Sequence, residues 1–376
     1  MTGVYLDYNA SAPMRPEVLE AMTAVMAEVG NPSSIHAAGR KARARVETAR
    51  ALVAAMVGAS TEDVTFTGSG TEANALGIHS AIAAGYQRLI VNPTEHASVL
   101  EPVRATGLSI EWLEVEEDGL VAVDEIGERL QNGPPALVVL QLANSETGVV
   151  QTFPEVADVC KRFGAWMHVD MVQAAGKLPL DGRRYDGDTW ALSAHKIGGP
   201  QGIGALVNAS GRTLTPDIRG GGQERGLRAG TENVAAAVGF GEAARIAREQ
   251  RDLIHRQEAW RNDAATRLEA EGAEIMGPGA YILHNTLCAA VEDWPSQTQV
   301  MTLDLAGIMV SAGSACSSGK VTRSPVLDAM GQGRFAAGSI RASGGWATTE
   351  DDWARFAEVW VNSYRAFKGR KLERAA

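Results

Sequence analysis

Short apolar segments alternate with longer helical patterns between residues 16 and 207, and this alternation limits the fold more than any other feature. Strands are predicted at residues 64–67, 88–91, 136–141, 166–170, 189–192 and 203–207. Helices are predicted at residues 16–28, 40–57, 71–84 and 154–163. Such alternation favours a mostly parallel sheet with helices on both faces, and continuous apolar runs suit its buried strands. We therefore predict an α/β fold.

The pattern changes after residue 233. Residues 234–270 are Ala-rich and then charged, and they predict one long helical run of the kind that links two domains. Strands of a smaller α+β domain are predicted at residues 282–291, 303–311 and 339–343. We predict a large domain over residues 15–255, and a small domain formed by residues 1–14 together with 256–376.

The acidic balance of the chain argues against a general nucleic-acid or anionic-membrane surface. The 376 residues carry a formal net charge of −10, so we expect neither direct nucleic-acid binding nor membrane attachment. The first seven residues have no basic start and no apolar core, and no apolar stretch approaches the roughly 18 residues of a membrane span. We therefore expect a cytoplasmic protein.

The three cysteines differ in their surroundings. Their odd number and the lack of a Cys-x-x-Cys spacing argue against a disulfide framework and against a metal site within one chain. Cys160 and Cys288 lie among apolar residues and are predicted to be core residues. Cys316 lies in a Gly/Ser-rich stretch, where an ordinary thiol with a pKa of about 8.5 is partly thiolate near neutrality. An incidental loop cysteine is the alternative.

Lys196 ends a predicted buried strand whose last turn also carries Ser193 and His195. A glycine-rich stretch follows at residues 198–204. A lysine at the rim of a buried strand is placed to form an imine with a carbonyl cofactor. A plain solvated strand end is the alternative.

Two other strand ends suggest a phosphorylated ring cofactor. Residues 66–74 pass from a strand through Gly68 and Gly70 into a helix near Thr71, and a helix start of this kind binds phosphate. Asp170 ends another strand, where a carboxylate can keep a pyridine nitrogen protonated, and Gln173 can bond a phenolic oxygen. A tight turn and a helix cap are the respective alternatives.

Two arginine-bearing segments predict anion binding. Arg341, in the predicted strand 339–343, would clamp an amino-acid carboxylate if it faced a cleft. The glycine- and arginine-rich loop 218–233 would wrap an anion in its own site or in a neighbouring subunit. A surface ion pair and a flexible surface loop are the respective alternatives.

Together these segments resemble a cysteine desulfurase of the NifS/IscS-like group, within the class V aminotransferases of PLP (pyridoxal 5'-phosphate) fold type I. The resemblance covers nearly the whole chain. Its motifs are YLDYNA (5–10), GNPSSIH (30–36), TEH (94–96), QLANSETG (141–148), SAHK (193–196), RAGT (228–231), GSAC (313–316) and SIR (339–341). The long segment around Cys316 is similar to the NifS/IscS-like group rather than to the SufS-like group.

The resemblance implies a homodimer with three catalytic residues. Lys196 carries PLP through an imine, and His96 stacks over the ring and takes part in proton transfer. Cys316 takes sulfur from L-cysteine as a persulfide while L-alanine leaves. Arg341 and Asn31 are implied to bind the substrate, and no metal is implied. The residues implied to hold PLP are Gly70, Thr71, His96, Asn144, Asp170, Gln173, Ser193, His195, Lys196 and the partner subunit's Thr231.

Some alternatives stay open at this point. A selenocysteine lyase or a class V aminotransferase is the alternative enzyme, and a non-catalytic scaffold that docks sulfur acceptors is a remote third hypothesis. The sulfur acceptor is open between an iron–sulfur scaffold, a tRNA-thiolation relay and nitrogenase-type assembly. The sequence also departs from the family at Ser11–Ala12 and Gly344–Gly345, which leaves the substrate contacts open.

Overall fold

The computed structural model describes residues 3–180, 187–313 and 323–375. Its first strand, β1 (Val4–Tyr5), pairs outside the main sheet. The main sheet is formed by β2 (Val64–Thr67), β3 (Leu89–Val91), β4 (Ile110–Trp112), β5 (Leu137–Gln141), β6 (Trp166–Asp170), β7 (Thr189–Ser193) and β8 (Gly204–Asn208).

The main sheet has the strand order β2-β8-β7-β6-β5-β3-β4. Neighbours are parallel from β7 to β4, whereas β8 is antiparallel to both β2 and β7. The predicted mostly parallel sheet is therefore confirmed with seven strands, and each of the six predicted strands lies within one residue of its predicted bounds. The sequence did not predict β4, a three-residue edge strand that ends at the exposed Trp112.

Helices cover both faces of this sheet. They are α1 (Pro16–Met26), α2 (Ala37–Val57), α3 (Gly70–Ala83), α4 (Ala97–Ala105), α5 (Val123–Gln131), α6 (Phe153–Arg162) and α7 (Val234–Glu249). The next helix, α8 (Arg251–Glu269), packs instead in the core of the smaller C-terminal unit. Side chains alternate across a strand, so β5 sends Val138 and Leu140 into a core with α2 and α7. It sends Leu137 and Val139 into a second core with α3 and α4.

The longest helix of this layer, α2, shows why the sequence folds as it does. Its Ala-rich sequence has high helix propensity. Val46, Val53 and Val57 are buried at helical spacing and face the core with α7. Gly58 ends the helix in the left-handed conformation, with φ 70°, which glycine adopts without a steric penalty.

The C-terminal part forms a smaller α+β unit. Its elements are β9 (Glu274–Ile275), β10 (Thr286–Ala290), α9 (Ser296–Leu305), β11 (Ile308–Met309), β12 (Ser311–Ala312), α10 (Pro325–Ala329), β13 (Ser339–Ser343) and α11 (Glu350–Ala375). An antiparallel sheet has the order β12-β13-β10-β9, and β1 pairs in parallel with β11. Its core includes the buried Trp294, Trp353 and Trp360.

Two details of this region differ from the sequence prediction. The single helical run predicted over 234–270 is wrong, because Gln250 leaves helical geometry (φ −105°, ψ 24°) and separates α7 from α8. The predicted strand 303–311 is also wrong as one element, since α9 continues to Leu305 and two short strands follow. The domain bounds at residues 15 and 255 stay a prediction.

The helices also bear on membrane attachment. Over the described ranges, none of them is both long enough and apolar enough to cross a bilayer.

Candidate active site

A cavity of about 470 Å³ opens where β5, β6 and β7 end and α3 begins. This is the edge at which open α/β sheets bind ligands. Its wall includes eight predicted site residues, namely Gly70, Thr71, His96, Asp170, Gln173, Ser193, His195 and Lys196. Residues that are far apart in the sequence therefore line one cavity, as expected if they form a single site.

The start of α3 forms one end of this cavity. Ser69 caps the helix, and its hydroxyl accepts from the backbone N–H of Glu72 at 3.1 Å. The first N–H groups of a helix have no partner within it and attract anions. β8 passes very close, because a Cβ added at Gly204 would lie 2.4 Å from the carbonyl carbon of Ser69. Glycine at position 204 therefore lets the strand and the helix start meet.

Asp170 is the buried carboxylate of the cavity. One of its oxygens accepts from the backbone N–H of Val172 at 2.9 Å, and the other accepts from the Asn74 amide at 2.8 Å. Each carboxylate oxygen has two lone pairs, so a further donor can bind. The helix-cap interpretation is wrong for the described residues 171–180, which form turns and no helix, and the ligand interpretation is compatible with this geometry.

A buried chain of hydrogen bonds holds Asp170 from behind. Burial lowers the pKa of His168 to about 3, so its ring is neutral. His168 lies 2.9 Å from the Thr189 hydroxyl and 3.0 Å from the Asn74 amide oxygen. The Asn74 amide nitrogen in turn donates to Asp170 and to Ser98, at 2.8 and 2.9 Å. Asn74 and Ser98 are site residues that the sequence motifs did not predict.

Replacing Asn74 with leucine should lower the free energy of unfolding by about 3 kcal/mol, because it removes one buried hydrogen-bond partner each from His168 and Asp170. Urea unfolding of the cofactor-free protein measures this loss. The matched control is leucine at Asn362, an exposed residue of α11, which should change stability by less than about 0.5 kcal/mol. Equal stabilities for the two variants would contradict the proposed support of Asp170.

His96 is attached to the same network. It caps α4, and its Nδ1 accepts from the backbone N–H of Ser98 at 3.0 Å and lies 2.8 Å from the Ser98 hydroxyl. A neutral ring that accepts at Nδ1 carries its proton on Nε2. Ser98 and Asn74 therefore connect the imidazole of His96 to the carboxylate of Asp170.

Lys196 follows β7 in a single turn of 3-10 helix, Ala194–Lys196. Its amine donates to the backbone carbonyls of Asn9 and Ala10, at 2.6 and 2.9 Å. The neighbouring His195 has its pKa lowered to about 4, first by burial and then by the charge of Lys196, so it is neutral at pH 7. The cavity therefore presents an amine that the N-terminal segment holds at its wall.

Arg341 is fully buried in β13, yet it lies outside the residues that line this cavity. Its guanidinium donates to Asp7 at 2.6 Å and to the carbonyl of Ser145 at 3.0 Å. Ser145 does line the cavity, so the arginine lies directly behind the wall. The ion-pair interpretation thus applies to its observed contact, although Arg341 is buried and Asp7 is half-buried.

Other predicted site residues lie apart from the cavity lining. Asn144 is buried, and its amide bonds Thr94 and the backbone of Glu146. Asn31 and Thr231 are exposed. Cys316 lies outside the described residues, so its predicted role stays a prediction.

Glu146 is a fully buried carboxyl next to Ser145. Burial raises its pKa from 4.5 to about 7, against the opposing effects of Ser324, Arg341 and Ser339. Its Oε1 has no hydrogen-bond partner in the parts of the chain that the structure describes. A Cβ added at Gly313 would lie 2.1 Å from this atom, so the chain passes close to Glu146 three residues before Cys316.

Glu146 should make the protein less stable as the pH rises from about 4.5 to about 7. In this window the folded protein keeps a proton that the unfolded chain has released, and the shift corresponds to about 3 kcal/mol. Urea unfolding at pH 5 and pH 8 should show a smaller pH dependence in Glu146→Gln than in the wild-type protein. Parallel stability curves for the two proteins would contradict the shifted pKa.

The donor set fits PLP, the cofactor that the resemblance implied. Lys196 offers an amine, Asp170 a carboxylate with free lone pairs, and the start of α3 a binding place for a phosphate. Within the described residues, no group of three or more His, Cys, Asp and Glu side chains forms a metal site. The residues that would hold PLP are Gly70, Thr71, His96, Asp170, Gln173, Ser193, His195 and Lys196.

Comparison with known proteins gives the family. The family model described as aminotransferase class-V matches residues 4–356. The chain is 36% identical to "Cysteine desulfurase IscS" of Dictyoglomus turgidum, over 93% of this chain and 91% of that protein. It is 39% identical to a cysteine desulfurase of Cereibacter sphaeroides, over 96% and 95%. The X-ray structure of a NifS-like protein from Rickettsia africae superposes with a TM-score of 0.89 at 32% identity, covering 96% of this chain and 99% of that one. The chain therefore belongs to the class-V aminotransferase family, in the branch that contains the cysteine desulfurases.

Proposed function

We propose that this protein is a PLP-dependent cysteine desulfurase that moves the sulfur of L-cysteine to Cys316 and releases L-alanine. The observation that carries the proposal is the single cavity shared by the amine of Lys196, the carboxylate of Asp170, the imidazole of His96 and the start of α3. The similarity to cysteine desulfurases over most of the chain supports the same activity.

The cofactor supplies an electron sink for the bonds around the substrate Cα. The chain supplies the rest. Asp170, held by Asn74 and Val172, is placed to bind the pyridine nitrogen. The start of α3 would hold the phosphate, helped by Ser193 and the neutral His195. Lys196 and His96 face the same cavity and are the groups we assign to proton transfer.

The sulfur step needs a soft nucleophile, and Cys316 is the one we assign. The substrate C–S bond breaks, a sulfur–sulfur bond to Cys316 forms, and the substrate Cβ gains the proton that the thiol gives up. Cysteine and the thiol become alanine and a persulfide without any external oxidant or reductant. The other two cysteines are unsuitable, because burial raises the pKa of Cys160 to about 12 and that of Cys288 well above its usual range.

Arg341 is our proposed partner of the substrate carboxylate, with Asn31 and Asn144 near the substrate and the cofactor. Its bond to Asp7 means that a substrate carboxylate would have to compete with Asp7 or share the guanidinium with it. The guanidinium has five N–H donors, and its Nε has no partner among the described residues. Shared binding is thus compatible with the geometry.

We extend the proposal to assembly and location. The exposed Thr231 would complete the cofactor site of a second copy in a homodimer, and the enzyme would act in the cytoplasm. The persulfide would pass to a sulfur-acceptor protein such as an iron–sulfur scaffold or a tRNA-thiolation relay. Sedimentation of the protein with bound PLP tests the dimer.

One experiment tests the activity itself. Purified protein with bound PLP is incubated with L-cysteine and a thiol reductant, and alanine and sulfide are measured. Equal amounts of both products are expected, together with a persulfide on the Cys316 peptide when the reductant is left out. An oxo acid with pyridoxamine phosphate would indicate an aminotransferase instead, and a strong preference for selenocysteine would indicate a lyase.

A further inference from the structure

Lys177 is a second buried lysine near the site, four residues after Gln173. Its side chain is 4% exposed. Its amine donates to the side-chain oxygens of Gln173 and Asn9, at 2.6 and 2.8 Å. It also lines a small cavity of about 30 Å³ that reaches the other side of Lys196. A buried lysine without a carboxylate partner in these bonds is unusual, since buried lysines are generally paired.

Asn9 connects this lysine to the cofactor cavity. Its backbone carbonyl accepts from both Gln173 and Lys196, at 2.9 and 2.6 Å. Its side-chain amide donates to the carbonyl of Ser145 at 3.2 Å and to the hydroxyl of Thr286 in β10 at 3.0 Å. Asn9, Gln173 and Lys177 are all buried, whereas Lys196 is half-buried at the cavity wall.

The partners fix which way each amide points. Backbone carbonyls only accept, so the amide nitrogens of Gln173 and Asn9 face the carbonyls of Asn9 and Ser145, respectively. The two amide oxygens must then face Lys177, whose N–H groups satisfy them. Gln173 is thereby left with one N–H for a further acceptor, when bonds to the described residues are counted.

We propose that Lys177 is a positioning residue that keeps the amide nitrogen of Gln173 available to the cofactor oxygen and holds Asn9 where its carbonyl meets Lys196. This inference rests on the proposed function, because it assigns Gln173 to the cofactor. Lys177 itself touches neither substrate nor cofactor in this assignment. Without it, the Gln173 amide keeps only the Asn9 carbonyl to favour one of its two orientations.

The protonation of Lys177 agrees with this assignment. Burial lowers its pKa well below the ordinary value, and the charges of Lys196 and Arg341 lower it further. In either protonation state the amine has at least two N–H groups, enough for the two amide oxygens that it meets.

The test is a double-mutant cycle on cofactor affinity. Apo forms of wild type, Lys177→Met, Gln173→Leu and the double variant are titrated with PLP, and binding is followed by absorbance. Lys177→Met should weaken binding about 10- to 100-fold. The double variant should lose less affinity than the product of the two single losses, since part of the effect of Lys177 passes through Gln173. The matched control is Lys371→Met at an exposed lysine, which should keep the wild-type affinity.

Wild-type affinity in Lys177→Met would overturn the proposal, and so would losses that multiply in the double variant. If Lys177→Met does not fold, Lys177→Ala is tested instead. Removal of the lysine side chain leaves a space that a short amine can fill. Ethylammonium should restore PLP affinity there, whereas tetramethylammonium, which has no N–H, should not. Equal effects of the two cations would refute the positioning role. Binding is measured without cysteine, so failure of the desulfurase activity would be seen separately as a lack of alanine.

Discussion

Replacing Lys196 with alanine should abolish alanine formation from cysteine, with a loss of at least about 10⁴-fold in kcat. The amine lies at the cavity wall, held by the carbonyls of Asn9 and Ala10, beside the carboxylate and the helix start that fit the cofactor. The variant should also lose the visible absorbance of protein-bound PLP. Steady-state assays and absorbance spectra after addition of PLP measure both effects.

The control for this variant is stability. Lys196 donates to two backbone carbonyls at the cavity wall, and the loss of these two bonds should lower the free energy of unfolding by no more than about 2 kcal/mol. A folded variant that keeps both the absorbance band and wild-type turnover would exclude Lys196 as the cofactor lysine. Lys177 would then be the next amine to test.

Replacing Cys316 with serine should leave PLP binding and its absorbance intact but lower sulfide release at least about 10³-fold. A hydroxyl in place of the thiol is a poor sulfur acceptor, so the reaction should stop before sulfur transfer. Sulfide and alanine are measured with cysteine and reductant, and the persulfide is mapped by mass spectrometry.

Cys288→Ala is the matched control for that variant. Cys288 is buried in β10, where burial raises the pKa of its thiol, so its removal should affect stability more than turnover. Undiminished sulfide release by Cys316→Ser would refute the assigned role. Loss of turnover in Cys288→Ala with intact cofactor binding would contradict the assignment, because it would indicate that Cys288 and not Cys316 accepts the sulfur.

The sheet was predictable because its strands are buried on both faces and therefore form continuous apolar runs, as in β5 and β6. The edge strand β4 lacks this signal, since it has only three residues and none of them is fully buried. The break at Gln250 was not predictable from hydrophobic periodicity, because helical sequence lies on both sides of it. There Arg15 donates to the Gln250 side chain at 2.8 Å, a contact that exists only in the folded chain.

The site residues also fall into those that the sequence predicts and those that it does not. Lys196 and Asp170 were predictable because they end strands at the ligand edge of the sheet. Asn74 and Asn9 were missed because their partners are distant in the sequence, 94 residues away for His168 and 168 for Lys177. The sequence held one weak indication of these positions. Asn74 lies four residues after Gly70, and Lys177 lies four residues after Gln173, both predicted site residues.

The pairing of β1 with β11 determines when the site can be completed during synthesis. Val4 lies beside Ile308, so the amino-terminal strand has no partner until more than three hundred residues have been translated. Asn9 and Ala10 follow this strand closely, and their carbonyls hold the amine of Lys196. A ribosome-bound fragment could thus form the main sheet while the lysine still lacks its anchor, so loading with the cofactor should be a post-translational event.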